Sequence, residues 1–172
     1  MHYIAGVYLE LLLNKERAWE ILEEVKDPEI PVISVVELGV VRDVEIAGKN
    51  VLVTITPTYS GCPAMHMMES DIIKALKDNG AENVEVKMIL APAWTTDWIN
   101  DVAKKKLEDY GIAPPAEESA DKAALMGKQR QLKCPQCGSD NTVMKSQFGS
   151  TACKALFVCN DCLEPFDYFK CL

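Results

Sequence analysis

The sequence lacks any run of about 18 apolar residues, the length that a membrane-spanning helix requires. It also lacks an excess of positive charge: the net charge of −8 argues against a general nucleic-acid binder. No targeting signal is evident, because Glu10 interrupts the apolar stretch 3–13 and no basic residue precedes it. No cofactor fingerprint and no internal repeat are present. These absences predict a protein of the reducing cytoplasm that binds neither nucleic acid nor membrane.

Cysteine is scarce over most of the chain, since Cys62 is the only one before residue 134, whereas residues 134–172 contain the other six. The charge balance changes near the same place. Residues 1–127 contain 12 Lys/Arg against 22 Asp/Glu, and residues 128–172 contain 6 against 4. A composition break and a charge break together predict two folded parts. We assign an N-terminal lead (1–14), a main domain (15–113), a connector that is a short helix or an unstructured link (114–130), and a small module (131–172).

Apolar periodicity predicts mixed α and β structure in the main domain. Asn14 is placed to cap a first helix, and the turn 47–50 joins two strands that must be antiparallel. The third strand follows a crossover helix, so its pairing direction stays open. The predicted helices are 15–26, 63–79 and 97–110, and the predicted strands are 40–46, 51–56 and 84–88.

The loop 56–63 connects the second strand to the second helix and carries Cys62. Pro63 suits the first helical position, which predicts Cys62 at the N-cap, where the helix dipole and unpaired N–H groups favour a thiolate. The alternative is a buried, inert cysteine. His66 follows one turn later and is either a surface histidine or a partner of the thiol, while Thr58 and Ser60 offer hydroxyl groups to the sulfur.

Two C-x-x-C pairs dominate the small module: Cys134 with Cys137, and Cys159 with Cys162, separated by 21 residues. Two intervening residues allow one tight turn to direct both thiolates at one ion, and four thiolates suit tetrahedral zinc. We therefore predict a structural Zn²⁺ site in a β ribbon, with a single iron in the same cage as the alternative. Cys153 is interpreted as a free thiol rather than a ligand, and the role of Cys171 stays open.

Several motifs resemble a known family. Residues 27–31 (Asp-Pro-Glu-Ile-Pro), residues 34–41, and Thr58 with Cys62 four residues later resemble the iron–sulfur cluster assembly-like domain of Suf accessory and cytosolic iron–sulfur targeting factors. With the ribbon segments 148–154 and 164–170, the whole chain resembles the D-component family of phenylacetyl-CoA epoxidase systems. The resemblance implies an α+β fold with a three-stranded sheet and packed helices, followed by the zinc ribbon.

The resemblance also implies a function, namely maturation of iron–sulfur or metal centres in a partner subunit rather than ring epoxidation. It implies the reductase as client, Cys62 as the reactive thiol and transient ligand of iron or a [2Fe–2S] cluster, and Asp27 and Glu37 at the border of the site. Such clusters take four protein ligands, so Cys62 needs a second thiol from a homodimer partner, the client or Cys153. The alternative is a non-catalytic interaction subunit that docks through the ribbon. An acyl-transfer enzyme is disfavoured, because no acid–base partner or oxyanion hole is evident.

Overall fold

The computed structural model describes residues 13–115 and 132–170. The predicted lead (apart from residues 13 and 14), most of the predicted connector, and Cys171 lie outside the described residues. The described chain forms two compact units: residues 13–57 with 63–93, and residues 58–62 with 94–115 and 132–170. The segment 94–113, which the sequence analysis assigned to the main domain, therefore belongs to the second unit, as does the five-residue segment 58–62.

The first unit is an α+β arrangement around a three-stranded sheet. Its helices are α1 (Lys15–Glu23) and α2 (Met65–Asp78), and its strands are β1 (Val41–Ala47), β2 (Asn50–Ile55) and β3 (Asn83–Met88). The strand order is β1-β2-β3, with β1 antiparallel and β3 parallel to β2. The predicted three-stranded sheet is confirmed, and the crossover through α2 makes the second pairing parallel.

Local sequence explains how these elements begin and end. The Asn14 side chain accepts a hydrogen bond from the Arg17 amide at 2.7 Å and caps α1. Gly80 follows the end of α2 with φ of 103°, the left-handed conformation that glycine adopts without steric cost. Alternate residues of β2 (Val51, Val53 and Ile55) are buried, as the period of a half-buried strand requires.

The second unit contains the ribbon. A single turn of 3-10 helix (Thr96–Trp98) and the helix α3 (Asp101–Asp109) precede β4 (Ile112–Ala113), and the other strands are β5 (Thr142–Ser146), β6 (Lys154–Cys159) and β7 (Pro165–Phe169). The sheet order is β4-β7-β6-β5. Aromatic rings form its core: Phe157 lies 5.8 Å from both Phe166 and Tyr168, measured between centroids.

Two sequence predictions need correction here. The predicted helix 97–110 is interrupted, since Asn100 caps a separate helix by accepting from the Ala103 amide at 2.7 Å. The residues after it do not simply end a domain, because β4 pairs in parallel with β7 and so adds a strand to the ribbon sheet. The pairing of β4 with β7 could not be predicted from local periodicity, because β4 has only two residues.

Candidate metal centre and thiol loop

The four cysteines of the C-x-x-C pairs converge in the second unit. Their sulfur atoms all lie within 4.8 Å of one another. The Sγ atoms of Cys134 and Cys162 are 3.7 Å apart, and those of Cys137 and Cys159 are 3.6 Å apart. A tetrahedral zinc ion with bonds of about 2.3 Å separates its sulfur ligands by about 3.8 Å. The donor set and its spacing therefore fit Zn²⁺.

Each cysteine pair sits in a turn of the same design. The amide of Cys134 donates to the carbonyl of Ser139 at 2.8 Å, and the amide of Cys159 donates to the carbonyl of Glu164 at 3.0 Å. The residue after each second cysteine is left-handed: Gly138 with φ of 74° and Leu163 with φ of 65°. Leu163 adopts a conformation that costs a residue with a Cβ roughly 1–2 kcal/mol. The sequence offered no signal for this, because only Gly138 looks like a turn residue.

Proximity of the four thiols governs their protonation. An amide hydrogen bond from Cys162 lowers the pKa of Cys159 to about 7. The Glu164 amide favours the Cys162 thiolate, but burial and the neighbouring cysteines outweigh it and raise the pKa of Cys162 to about 12. One thiolate in such a cluster opposes the ionisation of the others, because like charges at this distance repel. A divalent cation is the group that would hold several thiolates there together.

Polar side chains tie the two turns together, and sequence reasoning missed them. Asp161 accepts hydrogen bonds from the Ser139 hydroxyl and, at 2.7 Å, from the Asn141 side-chain amide. The Ser139 hydroxyl, followed by the Asn141 amide, lowers the pKa of the Asp161 carboxyl. The Asn160 side chain donates to that of Asn141 at 2.9 Å. The signal available in the sequence was only their adjacency to the cysteines.

Asp161→Ala is expected to weaken zinc affinity about 10- to 100-fold, because groups that orient metal ligands contribute at this level. Zinc affinity is measured by competition with a chromophoric chelator. Asp140→Ala is the matched control, since it removes a carboxylate between Ser139 and Asn141 in the sequence and should leave the affinity unchanged. Equal affinities for the two variants would contradict an orienting role for Asp161.

Cys62 does not cap the helix. The helix α2 begins at Met65, and its N-cap is Ala64, which provides no side-chain hydrogen bond. Cys62 lies two residues earlier, after a turn in which its amide donates to the Tyr59 carbonyl at 3.4 Å and Gly61 has φ of 89°. The predicted N-cap position is therefore wrong, and the dipole argument weakens because that field falls off within the first turn.

The Cys62 loop combines a shielded thiol with an exposed rim. Cys62 is 8% exposed, whereas its neighbours Ser60, Gly61 and Pro63 are exposed. The burial of Cys62 agrees with the alternative interpretation of a buried cysteine, and the reactivity of the thiol stays a prediction. Thr56, Pro57 and Thr58 of the same loop are buried as well.

The other predicted residues of this site are distributed as follows. Thr58 is buried in the same five-residue segment as Cys62, and His66 is exposed on α2. Asp27 is buried, and its carboxylate accepts from the amides of Glu29 and Ile30 at 2.8 and 2.7 Å. Glu37 accepts from the Ser34 amide at 2.9 Å. The two carboxylates thus hold their own loop in place, and their role toward a ligand stays a prediction.

One polar side-chain atom at the start of this loop lacks a hydrogen bond. The hydroxyl of Thr56 is buried and has no hydrogen-bond partner among the described residues. Buried hydroxyl groups without partners are uncommon and cost about 1–3 kcal/mol. We expect Thr56→Val to raise the free energy of unfolding by about 1 kcal/mol, measured by urea denaturation, because valine has the same shape without the hydroxyl. A destabilised variant would contradict the absence of a partner.

At the other end of the ribbon, residues of segments 148–154 and 164–170 form a second polar cluster. Lys154 is buried, and its ammonium lies 3.7 Å from the Asp167 carboxylate, which also accepts from the Ser150 hydroxyl at 2.7 Å. A Cβ at Gly149 would displace the Asp167 carboxylate from this cluster. Cys153 is buried beside them, with its sulfur 3.0 Å from the Thr151 hydroxyl. Cys153 is not one of the four clustered cysteines.

The Cys62 loop and the four-cysteine ribbon both lie in parts of the chain that match known families. Residues 15–89 match the family model described as iron–sulfur cluster assembly protein, and residues 118–170 match the PaaD zinc beta ribbon domain. The chain is 47% identical over 154 residues to the Escherichia coli D component of a system named "Putative 1,2-phenylacetyl-CoA epoxidase", covering 90% of this chain and 91% of the relative. The chain belongs to this D-component family.

Other relatives match the first of these two parts of the chain. An Fe–S protein maturation auxiliary factor of Bacillus subtilis is 36% identical, over 52% of this chain and 89% of the relative. A crystal structure of a domain of unknown function, DUF59, from Bacillus anthracis superimposes with a TM-score of 0.51 at 32% identity, covering 54% and 90% of the two chains. The predicted family and fold class are thus confirmed. Within the described residues, no helix is long and apolar enough to cross a membrane.

Proposed function

We propose that this protein is an accessory factor that assists assembly of an iron–sulfur cluster in a partner protein through Cys62. One observation carries the proposal: Cys62 is the only cysteine in the residues 15–89 that match the iron–sulfur cluster assembly family. It lies in a loop in which the neighbouring residues Ser60, Gly61 and Pro63 are exposed. The cluster, or its iron, is cargo and not a resident cofactor. A cytoplasmic location fits this role.

The proposal requires a second thiol, because a [2Fe–2S] cluster takes four protein ligands. Cys153 is a buried cysteine of the same compact unit as Cys62 and is not among the four cysteines that suit zinc. The Thr151 hydroxyl lies 3.0 Å from its sulfur, and the Lys170 ammonium interacts with it electrostatically. We therefore assign Cys153 as the second thiol, with the client protein or a homodimer partner supplying the remaining ligands.

The client that the family resemblance implies is the reductase of the phenylacetyl-CoA epoxidase system. The test uses cells that lack the native copy and produce the reductase together with one variant of this protein. Cys62→Ala is expected to lower the cluster content of the purified reductase severalfold, measured by iron analysis and electron paramagnetic resonance. Pro63→Ala, which changes an exposed residue next to Cys62, is the matched control. Normal cluster content with Cys62→Ala would refute the cluster-handling role.

A docking role for the ribbon is the second candidate, and exposed apolar side chains of the ribbon favour it. Leu163 is 75% exposed and Phe148 is 65% exposed. Leu163 is also held in the left-handed conformation, which a glycine would adopt at lower cost. Strain kept at an exposed apolar residue is typical of a binding contact.

Leu163→Gly is expected to raise the free energy of unfolding by about 1 kcal/mol while weakening capture of the reductase. Stability is measured by denaturant titration and capture by pull-down from the same cells. Leu163→Asn is the control, because it also tolerates the left-handed conformation and shows whether the apolar side chain matters. Unchanged capture by both variants would exclude Leu163 from the docking surface. Loss of capture with normal cluster content would separate docking from cluster handling.

A further inference from the structure

The strand β3 lies at the edge of the three-stranded sheet. It pairs with β2 on one side, and no described residue of 13–115 or 132–170 pairs with it on the other. None of its six residues is buried. Met88 is 46% exposed and Leu90, just beyond the strand, is 63% exposed. An edge of this kind presents unpaired N–H and C=O groups that can extend the sheet with another strand.

The direction of the backbone groups on β3 is fixed by its pairing with β2. The amide of Ile89 donates to the Ile55 carbonyl at 2.9 Å, and the amide of Asn83 donates to the Lys49 carbonyl at 3.3 Å. Odd-numbered residues therefore direct their N–H and C=O groups toward β2. Even-numbered residues, namely Val84, Val86 and Met88, direct theirs toward the open edge, because these groups alternate along a strand.

The two faces of β3 differ in chemistry. Register with β2 places Val84, Val86 and Met88 beside the core residues Val51, Val53 and Ile55. Glu85 and Lys87 lie in register with Leu52 and Thr54, and point to the opposite face because side chains alternate. The edge thus carries apolar side chains on one face and one charge of each sign on the other.

We propose that two copies of this protein pair through β3 in antiparallel orientation, centred on Val86. In that register, Val86 faces Val86 of the second copy, and Val84 faces Met88. These are the residues with outward N–H and C=O groups, so they become the hydrogen-bonded pairs. Glu85 then faces Lys87 of the second copy at non-hydrogen-bonded positions, where side chains lie closer together. The two sheets merge into one sheet of six strands.

Charge selects this register over its neighbours. The backbone allows only shifts of two residues, because only even-numbered residues present groups to the edge. A shift in one direction places Glu85 opposite Glu85, and a shift in the other places Lys87 opposite Lys87. Like charges directly opposite each other are unfavourable, whereas the central register pairs both charges with their opposites. Complementarity of the strand with itself therefore identifies a second copy as the occupant.

Sedimentation velocity and light scattering of the full-length, zinc-loaded protein test the pairing over about a hundredfold range of concentration, with a reductant present to exclude disulfides. The wild-type chain is expected to form a concentration-dependent dimer. Glu85→Lys and Lys87→Glu each place two like-charged pairs across the edge, and each is expected to weaken the dimer about tenfold. The double variant E85K/K87E restores opposite charges and is expected to dimerise like the wild type. An equimolar mixture of the two single variants should form a mixed dimer.

The variants are matched, because both positions lie on the same face of one strand, and circular dichroism checks that they fold. Glu82→Lys is the control just outside the strand, and it should leave dimerisation unchanged. A wild-type protein that stays monomeric would overturn the proposal. The β3 edge would then be available only to an extended segment of a different protein. A dimer that all variants preserve would also overturn it, because a different surface would then join the copies. The inference does not depend on Cys62, so either can fail alone.

Discussion

Cys134→Ser is expected to abolish zinc binding at the four-cysteine site and to unfold the ribbon, while leaving the first unit folded. Cys134 is buried, and Cys134 and Cys159 are both part of the apolar core of the ribbon, with Phe157 and Tyr168. That core is small, so the metal supplies much of the stability of the module. In zinc-finger peptides, the binding free energy of structural zinc is about 10–16 kcal/mol, which exceeds what this core provides alone.

Metal analysis and thermal denaturation measure the effect. The wild-type chain should contain one zinc per chain and lose the ribbon transition on addition of a strong chelator. Cys153→Ala is the matched control, because it removes another buried cysteine of the same unit without touching the four clustered sulfur atoms. It should retain both zinc and the ribbon transition. Iron in place of zinc would show that the four cysteines hold a single iron ion, the alternative predicted from the sequence.

Cys62→Ala and Cys153→Ala are each expected to lower the binding of iron by the zinc-loaded protein about tenfold or more under anaerobic cluster-loading conditions. Loss of a group that only orients a ligand costs about 10- to 100-fold in metal affinity, so loss of the ligand itself costs at least as much. The measurement is the thiolate-to-iron absorption band, together with the iron and sulfide content. Zinc content must stay at one per chain, so that iron in the four-cysteine site does not contribute.

Pro63→Ala, next to Cys62 in the same loop, controls for disturbance of the loop. If Cys62→Ala abolishes the band and Cys153→Ala does not, the second thiol comes from another chain, and our assignment of Cys153 is wrong. If neither variant changes the band, Cys62 does not carry iron. The same two variants in the cell assay then show whether binding in vitro corresponds to delivery.

The sequence alone determined the features that depend on local spacing. The two C-x-x-C pairs predicted the metal centre, because two intervening residues suffice to direct both thiols at one ion, and the structure brings all four sulfur atoms together. Alternation in 51–56 predicted β2, and Asn14 predicted the start of α1. The motif residues at 27–31, 34–41, 58 and 62 predicted the family that the comparisons confirm.

Tertiary structure decided the features that depend on residues distant in sequence. The two residues of β4 form a strand only because β7 offers them a partner, and the Asp161 contacts exist only because two separate turns meet. Burial of Cys62 and the true start of α2 at Met65 likewise escaped a local reading, since the first depends on the packing around the loop. Periodicity describes which face of an element is apolar, but it does not state what covers that face, and burial is set by the covering residues.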